Sequence, residues 1–263
     1  MGVFSKIINI LKGNKPNKKR FGYLPDFCDF RDFVFTCKLA SLPESVDLRS
    51  QMPPIFDQGN LNSCVSNAIS AISEFLWMKQ IEGVLSSSRL FIYYNGRVLE
   101  DSTKFDDGIM IRDGIKGIIK NGICLDIVWP YDESKVFIKP PSVCYDTARV
   151  HKVLVYKRIP ESLESMKTCL ASGYPFIFGA SLYDSFDAEE VTKTGIVPTP
   201  QIVESFVGGH CMTAVGYSDA RRLFIVRNSW GELWGDRGHC FMPYDYLANP
   251  NLCENRWMIT NVV

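Results

Sequence analysis

Residues 57–68 read DQGNLNSCVSNA, a polar turn that leads directly into a stretch with helical spacing of apolar side chains. The apolar positions are Val65, Ala68, Ile69, Ile72, Phe75 and Leu76. Their spacing predicts a helix, which Asn62 or Ser63 could cap. Cys64 would then lie at or near the helix N-terminus, where backbone amides and the helix dipole stabilise a thiolate. A buried structural role is commoner for a single cysteine, so a catalytic role for Cys64 needs partners elsewhere in the chain.

Candidates for a base are few, because the chain has only three histidines, at positions 151, 210 and 239. His210 follows two glycines and precedes a strand pattern, and Asn228 follows an apolar strand and lies next to Trp230. An amide side chain can accept a hydrogen bond from one imidazole nitrogen, which fixes the tautomer and leaves the other nitrogen to face a thiol. Trp230 would shield that bond from water. His210 and Asn228 are therefore the best candidates for base and orienting group.

Three motifs in chain order resemble those of the papain-like, cathepsin-like cysteine peptidases. They are Gln58-Gly59 separated by four residues from Cys64, then Gly209-His210 before a strand, then Asn228-Ser229-Trp230-Gly231 with Trp234-Gly235 after it. His210 and Asn228 lie 146 and 164 residues beyond the cysteine, and the family has its His and Asn at similar distances. The similarity covers roughly residues 42–262, since residues 45–49 are similar to the start of the mature peptidases.

The resemblance implies an α+β, papain-like two-lobe fold, in which the active-site cleft lies between a helical N-terminal lobe and a β-barrel-like C-terminal lobe. The residue patterns agree, since the first half has helical spacing and the second half has short alternating stretches bounded by glycine. Residues 1–41 would be a basic tail and aromatic segment, and residues 42–263 the peptidase domain. Residues 244–247 and 257–259 are expected to form a C-terminal strand pair.

The resemblance also implies a cysteine endopeptidase that hydrolyses peptide bonds through a thioester acyl-enzyme. Cys64 and His210 would form a thiolate–imidazolium pair, and Asn228 would orient the imidazole. The Gln58 side chain and the Cys64 backbone N–H would stabilise the oxyanion. The residues expected to bind substrate are Asp107, Gly108, Gly209 and Trp230.

The chain differs from the family in four ways. Leu61 replaces the usual disulfide cysteine, Val65 replaces an aromatic residue, and residues 107–108 replace a pair of glycines. The long helical pro-segment is missing. Residues 1–41 could be a short pro-segment that blocks the cleft, or a permanent strap on the outside of a lobe. Two other functions also stay open: a catalytically silent binding module, and a transpeptidase that uses the same site.

Composition limits the possible partners. The 263 residues, 46% hydrophobic and 22% charged, are enough for two packed lobes. Residues 1–20 hold six basic and no acidic residues, which leaves a net charge of −6 on the remainder. This tail is expected to be solvated rather than to bind a membrane. No basic motif interleaved with aromatics predicts nucleic-acid binding outside the tail. We expect a monomer that acts on polypeptides without a metal or cofactor.

The nine cysteines form no close CxxC pair, which argues against a zinc site. The apolar start is short, is interrupted by Lys6 and Asn9, and has no small-residue cleavage site after it. Mostly reduced thiols in an intracellular setting are therefore favoured over four disulfides in a secreted protein. The compartment itself stays undetermined.

Overall fold

The computed structural model describes residues 21–80, 85–151 and 153–262. The helices in these ranges are α1 (Cys64–Gln80), α2 (Arg89–Leu99), α3 (Ile111–Asn121), α4 (Ser142–Ala148), α5 (Leu163–Ala171), α6 (Glu189–Thr194) and α7 (Tyr244–Leu247). The strands are β1 (Tyr23–Leu24), β2 (Ser45–Asp47), β3 (Ile109–Met110), β4 (Val153–Arg158), β5 (Phe176–Tyr183), β6 (Phe206–Ser218), β7 (Leu223–Arg227), β8 (His239–Pro243) and β9 (Cys253–Val262). Within these ranges, none of the helices is both long and apolar enough to cross a membrane. The predicted basic tail, residues 1–20, lies outside the described part of the chain.

Helix α1 is the predicted helix of the opening motif and occupies the centre of the molecule. The first 14 of its 17 residues are buried, because it contacts β6 and β9 as well as α2 and α3. The polar side of the helix is therefore buried too. Its serine side chains allow this because they are small and can bond to backbone carbonyls of the preceding turn. Ser66 donates to the Ser63 carbonyl at 2.8 Å, and Ser73 donates to the Ile69 carbonyl at 2.8 Å, so these side chains satisfy their own hydrogen bonds.

The ends of the next two helices follow local sequence signals. Helix α2 begins after Ser88, whose hydroxyl accepts from the Phe91 N–H at 3.2 Å. Helix α3 ends at Asn121 and is followed by Gly122, which has φ +81°, a backbone conformation that favours glycine. Together with α1 these helices make the first half of the chain mainly helical, as the sequence predicts.

The second half forms one antiparallel sheet with the order β4-β9-β5-β6-β7-β8, and β2 pairs with β6. The prediction of an α+β fold with two lobes is therefore confirmed. The predicted C-terminal strand pair is half wrong, because Tyr244–Leu247 is helix α7 and only residues 257–259 lie in a strand, β9. Pro243 ends β8 there because it has no N–H to donate to a neighbouring strand.

Two aspartates hold a segment before the first lobe, residues 25–36, which we call the strap. Asp32 pairs with Arg112 at 2.7 Å and with Arg158 at 2.9 Å, and the side chains of Asp32 and Arg112 are only 7% and 6% exposed. Asp26 accepts from the Arg112 N–H at 3.0 Å and from the Trp257 indole N–H at 2.6 Å. The density of aromatic residues in 21–36 predicts that this stretch lies against the rest of the protein. That prediction is wrong for Phe27, Phe30 and Phe33, which are 75%, 97% and 76% exposed.

Removing the carboxylate of Asp32 should destabilise the fold. Asp32→Ala would leave the buried Arg112 guanidinium without its carboxylate, and breaking such a pair costs about 3–5 kcal/mol. Urea unfolding would measure the loss. The matched control is Asp29→Ala, which breaks an ion pair to the 78% exposed Arg31 side chain and should leave the midpoint unchanged. Equal effects of the two substitutions would contradict this view of the strap.

Candidate active site

Side-chain and backbone contacts on both flanks hold the turn before α1. The Asn62 side chain donates to the Asp106 carbonyl, and the Ser63 hydroxyl lies 2.6 Å from the Tyr131 hydroxyl. The Ser63 hydroxyl also accepts from the Asn67 side-chain amide of α1 at 3.1 Å. Capping of the helix by Asn62 or Ser63 stays a prediction. Leu61, which stands where the family has its disulfide cysteine, is buried. Packing and polar contacts hold the turn in place of a covalent bridge.

The sheet brings the histidine and the asparagine together. His210 lies in β6 opposite Ala180 of β5, and Asn228 directly follows β7. The His210 Nε2 lies 2.8 Å from the Asn228 Oδ1. The next residue along β6, Cys211, donates its backbone N–H to the Cys64 sulfur at 3.4 Å. The thiol, the imidazole and the amide predicted from sequence therefore occupy one site.

Gln58 reaches the same site because the turn that carries it is tied to the segment after β7. The Gln58 N–H donates to the Ser229 carbonyl at 2.9 Å, and Asp57 forms a β-bridge with Trp230. The Ser229 hydroxyl donates to Gln58 Oε1 at 2.6 Å, and Gln58 Nε2 donates to the Leu61 carbonyl at 2.9 Å. These bonds fix which end of the amide is the donor, since a carboxamide has its oxygen on one side and its NH₂ on the other.

The thiol of Cys64 is fully buried, and this changes its acidity. Burial raises its pKa to about 12, and the backbone N–H groups of Cys211, Val65 and Gly22 act in the opposite direction. The helix-terminus argument predicts a lowered pKa for an open site. In this structure the desolvation of the covered sulfur outweighs it, which favours the neutral thiol.

The cover is residues 21–24, which we call the cleft strand. The Phe21 ring lies 6.1 Å from the rings of both His210 and Trp230. The Gly22 N–H donates to the Gly209 carbonyl at 3.1 Å, and the Gly22 carbonyl accepts from the Ile109 N–H at 3.0 Å. Residues 23–24 then pair in parallel with residues 109–110. The sequence left residues 1–41 as either a blocker or a strap. Among the described residues, 21–24 lie beside His210 and Trp230, and 25–36 contact Arg112 through Asp26 and Asp32.

Three of the four residues predicted to bind substrate contact the cleft strand. The Gly209 carbonyl accepts the hydrogen bond from the Gly22 N–H. The Trp230 ring lies beside the Phe21 ring, and its centroid is 4.8 Å from that of the His210 ring. Gly108 has φ +92°, and a Cβ added there would lie 2.1 Å from the Gly22 carbonyl oxygen. Asp107 is solvent-exposed. Its neighbour Asp106 accepts from the Asn62 N–H and the Tyr93 hydroxyl.

Sequence reasoning missed three residues of this region. Ser229 belongs to a motif that was recognised, yet its bond to Gln58 spans 171 positions and leaves no local signal. Gly22 and Tyr23 lie in the aromatic N-terminal segment, and a two-residue strand has too few positions for an alternation pattern to be detected. A glycine between two aromatic residues, FGY at 21–23, was the available hint.

The fold and the site together define a two-lobe thiol peptidase scaffold. A sequence profile described as "Papain family cysteine protease" matches residues 42–258. The chain therefore belongs to the papain family of cysteine proteases, which are hydrolases that act on polypeptides.

Individual relatives agree with this assignment. The chain is 42% identical to an uncharacterized peptidase C1-like protein of Acanthamoeba polyphaga mimivirus, over 93% of this chain and 88% of that protein. It is 29% identical to cysteine proteinase 3 of Entamoeba histolytica, over 80% of this chain and 65% of that protein. Among solved structures, xylellain, a cysteine protease from Xylella fastidiosa, is similar with a TM-score of 0.86 and 37% identity. That match covers 94% of this chain and 98% of xylellain.

Proposed function

We propose that the chain is a cysteine endopeptidase whose nucleophile is Cys64 and whose own cleft strand restrains it. The observation that carries the proposal is the 2.8 Å contact of His210 Nε2 with Asn228 Oδ1. The Cys64 thiol lies beside this pair, because its sulfur accepts the backbone N–H of Cys211, the residue after His210. A thiol, an imidazole and an orienting amide are the groups that nucleophilic acyl transfer requires.

Each residue has a distinct role in this reaction. The Cys64 thiolate attacks the peptide carbonyl carbon, and the oxyanion is stabilised by the Gln58 amide and the Cys64 N–H. Because Nε2 of His210 is engaged with Asn228, Nδ1 is the nitrogen that exchanges protons with the sulfur and the substrate. The imidazolium protonates the leaving amine, and the thioester remains on Cys64. His210 then deprotonates a water molecule that hydrolyses the thioester and restores the thiol.

The direction of the cleft strand explains why it can cover the thiol without being cut. His210 protonates the leaving amine, so the leaving part of a substrate passes on the side of His210 and Trp230, where Phe21 lies. The acyl part then lies on the side of Tyr23. In a substrate the acyl part comes first along the chain, whereas in the cleft strand residue 21 precedes residue 23. The cleft strand therefore runs opposite to a substrate.

The hydrogen bonds of Gly22 agree with this reversed direction. Its carbonyl oxygen accepts from the Ile109 N–H at 3.0 Å, and its own N–H donates to the Gly209 carbonyl at 3.1 Å. The Gly22 carbonyl oxygen thus points to Ile109, while a reacting carbonyl would have to place its oxygen near the Gln58 amide. Peptide hydrolysis then depends on the fraction of molecules in which the strand has left the cleft.

Substitution of the nucleophile tests the proposed activity. In full-length protein, Cys64→Ala should abolish cleavage of an unfolded protein substrate at internal bonds, with gel and mass-spectrometric detection of fragments. Exposed Cys28 and Cys37 provide matched controls, since their alanine variants should cleave like the wild type. Cleavage that survives Cys64→Ala would refute the assignment. Peptide binding without any cleavage by the wild type would favour the silent binding module instead. Transfer of the acyl group to an added amine in preference to water would favour the transpeptidase.

A further inference from the structure

The side chain of Tyr23 lies buried in a slot between Gly179 and Asn255. Tyr23 is only 6% exposed, and its hydroxyl donates to the Asn255 Oδ1. The ring lies over Gly179 of β5, where an added Cβ would lie 2.0 Å from Tyr23 Cζ. Any side chain at position 179 would occupy the space of the ring. The slot can therefore hold an aromatic ring only because residue 179 is glycine.

The far end of this pocket accepts hydrogen bonds. The Asn255 Oδ1 receives both the Tyr23 hydroxyl and the Asp26 N–H, the latter at 2.8 Å. These two bonds fix the amide with its oxygen toward the pocket. Burial raises the pKa of Tyr23, and the nearby carboxylates of Glu254 and Asp26 raise it further, so the phenol stays a neutral donor. Asn255 itself is 7% exposed and has φ +50°. Its oxygen is thus a fixed, desolvated acceptor at the bottom of an aromatic slot.

We infer that this pocket selects substrates with a tyrosine on the acyl side, two residues before the cleaved bond, and that Asn255 is the residue that determines this specificity. The inference rests on the proposed function, since the acyl side was assigned from the role of His210. A substrate reading Tyr-Gly-Phe would reverse the order of residues 21–23 and place its phenol where Tyr23 lies. A phenylalanine would fill the same slot but would not donate a hydrogen bond to the Asn255 oxygen. Because a buried acceptor that loses a donor costs free energy, the site should bind tyrosine more tightly than phenylalanine.

Binding by the full-length chain tests the inference without depending on catalysis. The protein carries Cys64→Ala, so bound peptides stay intact. It also carries Tyr23→Gly, which empties the pocket, and Gly22→Ala, whose added Cβ would lie 1.9 Å from the Asn62 carbonyl oxygen and so unseats the rest of the cleft strand. The probe is acetyl-Ala-Tyr-Gly-Phe-Ala-amide with a fluorescein label, and unlabelled peptides with Tyr, Phe, Leu or Arg at the second position compete for it. We expect the Tyr peptide to bind about tenfold more tightly than the Phe peptide, the discrimination of one hydrogen bond.

Three further substitutions assign the effect to the pocket. Asn255→Gly keeps a residue that tolerates positive φ but removes the acceptor, so the preference for Tyr over Phe should vanish. Asn255→Asp keeps both the acceptor and that tolerance, so the preference should remain. Gly179→Ala should weaken the Tyr and Phe peptides equally, because the added methyl group occupies the space of the ring.

Three results would overturn the inference: equal binding of the Tyr and Phe peptides, strongest binding of the Arg peptide, or no binding of any peptide. Arg as the best residue would assign selection to the carboxylate of Glu254. Failure of the proposed function would give a different result. In that case the Tyr23→Gly chain with Cys64 intact would still bind the Tyr peptide but would not cleave it.

Discussion

The full-length Gly22→Ala variant should hydrolyse peptides faster than the wild-type chain, by about five- to 150-fold. A Cβ on Gly22 would lie 1.9 Å from the Asn62 carbonyl oxygen and 2.4 Å from the Asn62 carbonyl carbon. Both atoms are backbone of the turn that carries the nucleophile, so they cannot move aside as a flexible side chain would. Overpacking of this kind costs about 1–3 kcal/mol, and the cost falls only on the state in which the cleft strand is seated. The open population rises by the corresponding factor.

Initial rates with a fluorogenic peptide would measure this increase. The matched control is Gly117→Ala in α3, where the nearest atom to an added Cβ is 3.3 Å away and no contact with the cleft strand is involved. It should leave the rate unchanged. A Gly22→Ala chain that is no more active than the wild type would show that residues 21–24 do not restrain the site.

Truncation separates the cleft strand from the strap. A chain that begins at Pro25 loses the cover over Cys64 but keeps the Asp26 and Asp32 contacts to Arg112, so it should be both active and stable. A chain that begins at Leu42 also loses those carboxylates and should be destabilised. If both chains were equally stable, the strap would have no structural role.

Gln58→Ala should lower kcat by about 10²–10³, with a smaller change in KM, because an oxyanion donor acts mainly in the transition state. The measurement is best made in the Gly22→Ala chain, where the strand does not limit the rate. Ser229→Ala is the informative companion, since it keeps the Gln58 amide but removes the hydroxyl that holds its oxygen at 2.6 Å. Its kcat should fall by less than that of Gln58→Ala. Turnover like that of the parent chain in Gln58→Ala would remove Gln58 from the site.

The candidate residues of the reaction could be named from sequence because their chemistry restricts their identity and because their motifs resemble those of a known family. A thiol needs a base and an orienting group, and the chain offered few histidines and one Asn beside a Trp after an apolar strand. Cys64, His210 and Asn228 are candidates on that restriction, and the resemblance to the papain-like peptidases adds Gln58. Their contacts in the structure agree, with His210 and Asn228 joined by a 2.8 Å hydrogen bond.

What could not be predicted depends on contacts between distant parts of the chain. The parallel pairing of residues 23–24 with 109–110 joins segments more than 80 positions apart and is too short to leave a pattern. The acidity of Cys64 was inferred from its helix terminus, yet burial under the cleft strand raises its pKa to about 12. The sequence near Cys64 predicts the effect of the helix dipole, which lowers the thiol pKa. It does not predict the desolvation by a distant segment, which raises that pKa.

Alkylation of Cys64 tests the central claim, that this thiol is the nucleophile and that the cleft strand covers it. Iodoacetamide would be added to the wild-type and Gly22→Ala chains at neutral pH, and modification at each cysteine would be followed by mass spectrometry beside residual hydrolysis. Exposed Cys28 and Cys37 should react at equal rates in both chains and serve as internal controls. Cys64 should react faster in Gly22→Ala, because the reactive thiolate forms more readily once the cover is gone. Its modification and the loss of hydrolysis should advance in equal proportion. A chain with Cys64 fully modified and hydrolysis intact would contradict the account.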